Sequence, residues 1–168
     1  MIVEASALRI GGFNPFTTID YPDALAAVVF CQGCSWRCRY CHNPELVATT
    51  EATKIQWSDI IEFLKQRQGL LDAVVFSGGE PTIQQALLPA IKQVKALNYQ
   101  VGVHTAGSNP KRLRQILPLV DWVGFDIKAD ISDYAAVTCV PNSGKVAWSS
   151  IKDVIKYSPS YEIRITVH

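Results

Sequence analysis

Five short apolar, β-branched runs punctuate the chain: LAAVVF (25–30), AVVFSG (73–78), QVGVHT (100–105), WVGFDI (122–127) and YEIRITV (161–167). None alternates strictly between apolar and polar residues. Each is therefore expected to bury both faces, as the strands of a parallel sheet covered by helices do. Between the runs the period changes to that of a helix. Trp57, Ile60, Ile61 and Leu64 fall at i, i+3, i+4 and i+7, and Gly69 supplies a stop signal. A second helix is expected from near Pro89, a residue tolerated in a first turn, with Ile91, Val94 and Leu97 on one face. PKRLRQILPL predicts a shorter third helix, and WSSIKDVIKY a fourth ended by Pro159. Strand then helix, repeated four times and closing on a fifth strand, predicts an α/β fold with right-handed crossovers. Either an open doubly wound sheet or part of a TIM-like barrel satisfies that order.

In both architectures chemistry sits on the loops that follow the C-terminal ends of strands. CQGCSWRCRYCHNPE (31–45) follows the first strand, GGEPT the second, TAGSNP the third and KAD the fourth. Every unusual segment is thus predicted to lie on the same rim.

Composition narrows the picture only modestly. At 168 residues, residues 1–168 are expected to form one domain with a proper apolar core. Sixteen basic against fifteen acidic residues leave a net charge of +1, and the densest basic stretch, Lys111-Arg112-Leu113-Arg114, reads as one helix face. Nothing here points toward nucleic acid or an anionic membrane. The longest apolar run, 24–31, falls far short of the ~20 residues of a membrane span. MIVEASALRIGG has an early Glu4 and no basic lead, unlike a secretory signal. A cytoplasmic location is therefore expected, where thiols stay reduced, and the disulfide reading of the cysteines is demoted.

Cys31, Cys34, Cys38 and Cys41 lie within eleven positions. Thiolates are soft ligands, and Cys34, Cys38 and Cys41 can wrap three corners of a [4Fe–4S] cluster, leaving one iron open. The rival is a closed four-thiolate zinc site that also takes Cys31. Structural zinc usually draws ligand pairs from separate turns, and Cys31 ends an apolar strand, where a buried cysteine is a common small hydrophobe. Iron–sulfur therefore ranks above zinc, with both open. His42, next to Cys41, is not expected to be a metal ligand, and Cys139 is expected to be an idle thiol. In SGGEPT the paired glycines are expected to let backbone approach a ligand closely, with Gly79 or the Glu80 carboxylate holding an amino group. Asp20, before Pro22, reads equally as a catalytic residue or a turn residue. Asp126 and Lys128 point the same way along a strand. Trp36 reads as a partner contact or a lid.

CSWRCRYC resembles the Cys-x3-Cys-x2-Cys signature of radical S-adenosylmethionine enzymes, and GGEP resembles that superfamily's methionine-binding motif. TTIDYP (17–22), QGCSWRCRYCHNPEL (32–46), LLDAVVFSGGEPT (70–82) and DIK (126–128) are similar to the activating enzymes of glycyl-radical proteins. Among these they look most like the activating proteins of anaerobic ribonucleoside-triphosphate reductase. The resemblance implies a partial (β/α) TIM-like barrel. It implies that Cys34, Cys38 and Cys41 bind a [4Fe–4S] cluster that reductively cleaves S-adenosylmethionine. It also implies that Tyr40 and Asn43 lie near the adenine, and that Gly78, Gly79 and Glu80 hold the methionine amino end. Thr105, Asp126, Lys128 and, on the last strand, Arg164 would surround the methionine and ribose. The implied partners are a large glycyl-radical reductase subunit as protein substrate and an electron donor such as flavodoxin or ferredoxin. The same scaffold also serves radical enzymes of small heterocyclic metabolites, and a non-enzymatic zinc or iron–sulfur module is a further alternative. His104 and Ala106 depart from the pattern, standing where relatives often have an acidic residue and an Asn. The chain is also expected to be short at its C-terminus, lacking the family's last strand and helix.

Overall fold

The computed structural model describes residues 3–50 and 55–166. Its centre is one six-stranded sheet: β1 (Ile10–Thr17), β2 (Ala26–Cys31), β3 (Ala73–Gly78), β4 (Gln100–Thr105), β5 (Trp122–Ile127) and β6 (Tyr161–Ile165). The strands lie side by side in chain order. β1 runs antiparallel to β2, and every later pairing is parallel. Five α-helices intervene: α1 (Trp57–Gln66), α2 (Leu87–Ala96), α3 (Pro110–Ile116), α4 (Tyr134–Thr138) and α5 (Ser143–Tyr157). A doubly wound sheet reverses its strand order at a switch point. Here each strand is added on the same side of the last, so the sheet curls as part of a barrel. The TIM-like reading is the one observed.

The apolar runs read as parallel strands bury almost completely from β2 to β5, which accounts for their lack of alternation. On the outer face Leu64, Leu87, Ile91, Val94, Leu113 and Ile116 cover the sheet. On the inner face Tyr21, Ala26, Val28, Ala73, Val75 and Trp122 form a separate, smaller core. α2 begins two residues before Pro89, which therefore sits in its first turn as expected.

Four elements differ from the expectation. β1 carries Gly11, Gly12 and Pro15 and does not read as a strand. It is an edge strand whose pairing shifts register between Ile10 and Gly12 and between Asn14 and Thr17, the places where a sheet tolerates such residues. β6 is the opposite edge; its Tyr161, Glu162 and Ile165 are exposed, so it does not bury both faces. It ends at Ile165, and Val167, included in the expected run, lies outside the described residues. α5 begins at Ser143, five residues before the predicted start, and α4 was not anticipated. No helix among the described residues is long and apolar enough to cross a membrane.

Candidate active site

The cysteine loop is held from both ends. β2 finishes at Cys31, whose side chain is fully buried in the main core, and burial pushes its thiol up well above the ordinary range. Beyond it the loop folds back on itself. The buried Gln32 side chain donates to the carbonyls of Glu45 (3.0 Å) and Ala48 (2.9 Å). The amides of Gly33 and Cys34 donate to Leu46 (2.7 Å) and Val47 (3.1 Å). The middle of the loop is fastened to α4, where the amides of Arg37 and Arg39 donate to the carbonyls of Thr138 (2.9 Å) and Val137 (3.1 Å). Trp36 is only 3% exposed and meets Tyr134 edge-on at 5.7 Å. It is therefore no partner contact: it lines the cavity beside the thiols and is the apolar plug that seats the loop on α4 and Ala147 of α5.

The Gly78–Glu80 turn locks onto the same loop. Gly79 and Glu80 donate their amides to the carbonyls of Cys31 and Gly33, both at 2.9 Å. Gly78 adopts φ +107°, and a Cβ there would lie 2.6 Å from the Cys31 carbonyl oxygen. A Cβ on Gly79 would strike the Gly33 carbonyl. The bare side of the glycines thus faces the cysteine loop, where a ligand had been expected. Glu80, 2% exposed, accepts at Oε1 from Thr82 N (3.1 Å), Thr82 Oγ1 (2.6 Å) and Thr105 Oγ1 (2.7 Å), and at Oε2 from Ala106 N (2.9 Å). Its carboxylate ties the ends of β3 and β4 together.

On the far wall Asp126 stands between two cations. Its Oδ2 is 3.4 Å from Lys128 Nζ and its Oδ1 is 3.1 Å from Arg164 Nε. The Arg164 pair is close but misaligned for a hydrogen bond, so that N–H is buried without an acceptor. The Tyr40 hydroxyl donates to the Lys128 carbonyl at 3.2 Å. These walls enclose a cavity of about 430 Å³, and every residue expected at the site, from Cys34 to Arg164, lines it.

Sequence reading missed one polar pair in the wall. His104 Nε2 lies 2.9 Å from the Asp20 carbonyl, which can only accept, so this nitrogen carries the hydrogen. Nδ1, 3.3 Å from Ser77 Oγ, is then the acceptor in the neutral ring. Asp20 itself accepts from Thr17 Oγ1 at 2.6 Å and does not line the cavity, so it acts as a turn residue. Burial, reinforced by the charge of Arg164, lowers the His104 pKa. Below about pH 6.5 the unfolded chain therefore binds a proton that the folded chain resists, and stability falls as pH drops through that window. His104→Gln is expected to lose this component. Melting temperatures at about pH 7.5 and about pH 5.5 should differ less in the variant than in the parent.

The donor set suits a soft metal group. Burial pushes the Cys34 thiol up to about 11, against a 3.4 Å hydrogen bond from the Trp36 amide. Cys38 is also raised by burial, with Lys128 opposing. Metal binding at these thiols must therefore release protons. Among the described residues no three His, Cys, Asp or Glu side chains gather as for a single ion. Cys34, Cys38 and Cys41 instead ring a ligand-sized cavity, while Cys31 is turned into the core, so a closed four-thiolate zinc site is not formed. The three thiols, the cavity and the unsatisfied Arg164 N–H fit a cluster with an adjoining polar ligand. Cys139 is exposed at the end of α4.

A partial α/β barrel with three loop thiols on its rim defines a recognisable class. The family profile described as the Radical SAM superfamily matches residues 28–168, and the chain belongs to that superfamily, whose cofactors are a [4Fe–4S] cluster and S-adenosylmethionine. A Methanocaldococcus jannaschii protein named "Putative glycyl-radical enzyme activating enzyme" is 30% identical over 151 residues, 87% of this chain and 61% of that protein. The pyruvate formate-lyase-activating enzyme of Clostridium pasteurianum is 30% identical over 142 residues, 82% of this chain and 58% of that enzyme. The chain thus spans roughly three-fifths of the length of these relatives. Among solved structures, QueE from Escherichia coli superposes with a TM-score of 0.52 at 15% identity, covering 96% of this chain and 94% of that one. An archaeal TYW1 gives 0.59 at 16% identity, covering 84% and 55%. At such identities these two bear on the fold alone.

Proposed function

We propose that this chain is an activating enzyme that generates a glycyl radical on an anaerobic ribonucleoside-triphosphate reductase. The observation that carries the reading is the convergence of the sequence motifs on one cavity, with thiols on one wall and Asp126, Lys128 and Arg164 on the other. The relatives named as glycyl-radical enzyme activators support the substrate class. The longer GFNPFTTIDYP lead (12–22) supports the particular reductase.

In this reading Cys34, Cys38 and Cys41 hold the cluster, and Cys41, the exposed member, opens its wall to solvent. The Gly78–Glu80 turn, its amides already engaged, offers carbonyls to the methionine amino end, with Thr105 beside it. Asp126, Lys128 and Arg164 orient the carboxylate and ribose, and the buried Arg164 N–H gains an acceptor there. Tyr40 and Asn43 flank the adenine. When bound, the cofactors supply a one-electron cleavage that yields a carbon radical able to take a hydrogen atom from a glycine Cα. The protein's part is to aim that reaction and keep water out. The chain works as one unit over residues 1–168, in the cytoplasm, with a flavodoxin- or ferredoxin-type protein as electron source.

Anaerobic reconstitution with iron and sulfide, then dithionite and S-adenosylmethionine, should yield 5′-deoxyadenosine. Added to purified reductase, it should yield a glycyl-radical doublet by electron paramagnetic resonance. A colourless protein that binds only zinc would overturn the assignment. 5′-Deoxyadenosine without a radical on any glycyl-radical protein, but with a modified metabolite, would move it to small-molecule chemistry.

A further inference from the structure

Helix α5 carries a surface that the cavity does not use. Along α5, Lys145, Trp148, Lys152 and Ile155 recur at i, i+3, i+7 and i+10, and all four are exposed. Trp148 is 39% and Ile155 52% exposed, a large apolar outlay for a helix face open to water. Lys156 follows on the same helix. The one acidic residue of α5, Asp153, is turned away into an ion pair with Arg114 at 2.7 Å. The face is thus basic with an aromatic centre. Asp130 and Asp133 lie beyond it, before α4, and the Asp130 carboxylate is occupied by Ser132.

Position gives this face a purpose. Trp148 and Ala147 share a cleft with Tyr134. Tyr134 meets Trp36, and Trp36 lines the thiol cavity with Cys34 and Cys38 on either side of it in the loop. Two aromatic side chains therefore separate the basic face from the thiols.

We propose that the Lys145–Trp148–Lys152 face is the docking site of an acidic one-electron carrier protein. The proposal rests on the function proposed above, which requires one electron per turnover. The carrier loses that electron at this face, the cofactors held at the thiols gain it, and no proton or group is transferred. Charge complementarity steers the encounter and weakens with salt. Trp148 supplies the central aromatic anchor that such interfaces favour.

The test uses the reconstituted chain with reduced flavodoxin as probe, beside dithionite, which needs no docking surface. In the Lys145→Glu/Lys152→Glu double variant, the flavodoxin concentration giving half-maximal S-adenosylmethionine cleavage should rise at least about tenfold. Its salt dependence should flatten, and the dithionite rate and iron content should match the parent. Carbodiimide cross-linking of flavodoxin to the parent, mapped by mass spectrometry, should place the bonds at Lys145 and Lys152. Cross-links confined to Lys65, Lys92 or Lys111, or an unchanged flavodoxin dependence with normal dithionite cleavage, would overturn the docking site alone. So would binding of phosphatidylglycerol vesicles or single-stranded RNA by this face with none of flavodoxin. Absence of cleavage even with dithionite would sink the functional reading, and this one with it.

Discussion

Alanine at any one of Cys34, Cys38 or Cys41 is expected to abolish cluster incorporation and with it all cleavage of S-adenosylmethionine. Three loop thiols are all that this wall of the cavity offers, and two cannot hold a cubane that must present an open iron. Cys31→Ala is expected to behave in the opposite way. Its sulfur lies in the main core, so its loss removes apolar contacts and no ligand. Stability should fall by about 1 kcal/mol, roughly 2–4 °C in melting temperature, with iron content unchanged. Iron and sulfide analysis with visible absorbance checks the set. A Cys38→Ala protein that keeps a full cluster, or a Cys31→Ala protein that loses it, would refute the ligand assignment.

The second large effect is expected at Glu80, through stability rather than ligand contact. Its carboxylate takes four donors from the turn and from β4's end, three of them buried and the fourth, the Ala106 amide, half-buried. Glu80→Ala strands those donors, and an unsatisfied buried polar group costs about 1–3 kcal/mol. A total loss of about 4 kcal/mol is expected, a large share of the stability of an ordinary domain. Glu80→Gln keeps the shape but turns an amide N–H₂ toward a donor, and should lose about 2 kcal/mol. Thermal unfolding of the cofactor-free chain reads both, independently of activity. An Ala variant melting within about 2 °C of the parent would show that Glu80 does not hold the two strand ends together.

Much of the site was legible because its residues are contiguous. The three cysteines, the Gly78–Glu80 turn and the Asp126–Lys128 pair each sit at or just after the end of an apolar run. A parallel sheet delivers all such loops to one rim. The long-range partners were not legible. The resemblance named Arg164, but its pairing with Asp126 rests on the parallel register that sets the two side by side. Trp36 looked exposed in a polar loop, and only the packing of α4 against that loop made it a core residue. β1 was hidden by Gly and Pro residues that an edge strand accommodates. The start of α5 was hidden by Gly144, which is there because a Cβ would lie 2.6 Å from the Ile131 carbonyl.

The sequence by itself determined the order of the parallel strands β2 to β6 and of the helices between them other than α4, the shared rim and the spacing of the three thiols. These follow from local periodicity and from the spacing of ligands within one loop. Tertiary structure decided whether the sheet curls or reverses, and which cysteine is withdrawn into the core. It also decided that Glu80 braces the strand ends and that the CQGC loop and the GGEP turn are joined backbone to backbone. Those outcomes depend on contacts between residues far apart in the chain, whose hydrogen-bond partners and free volume exist only once the sheet has formed.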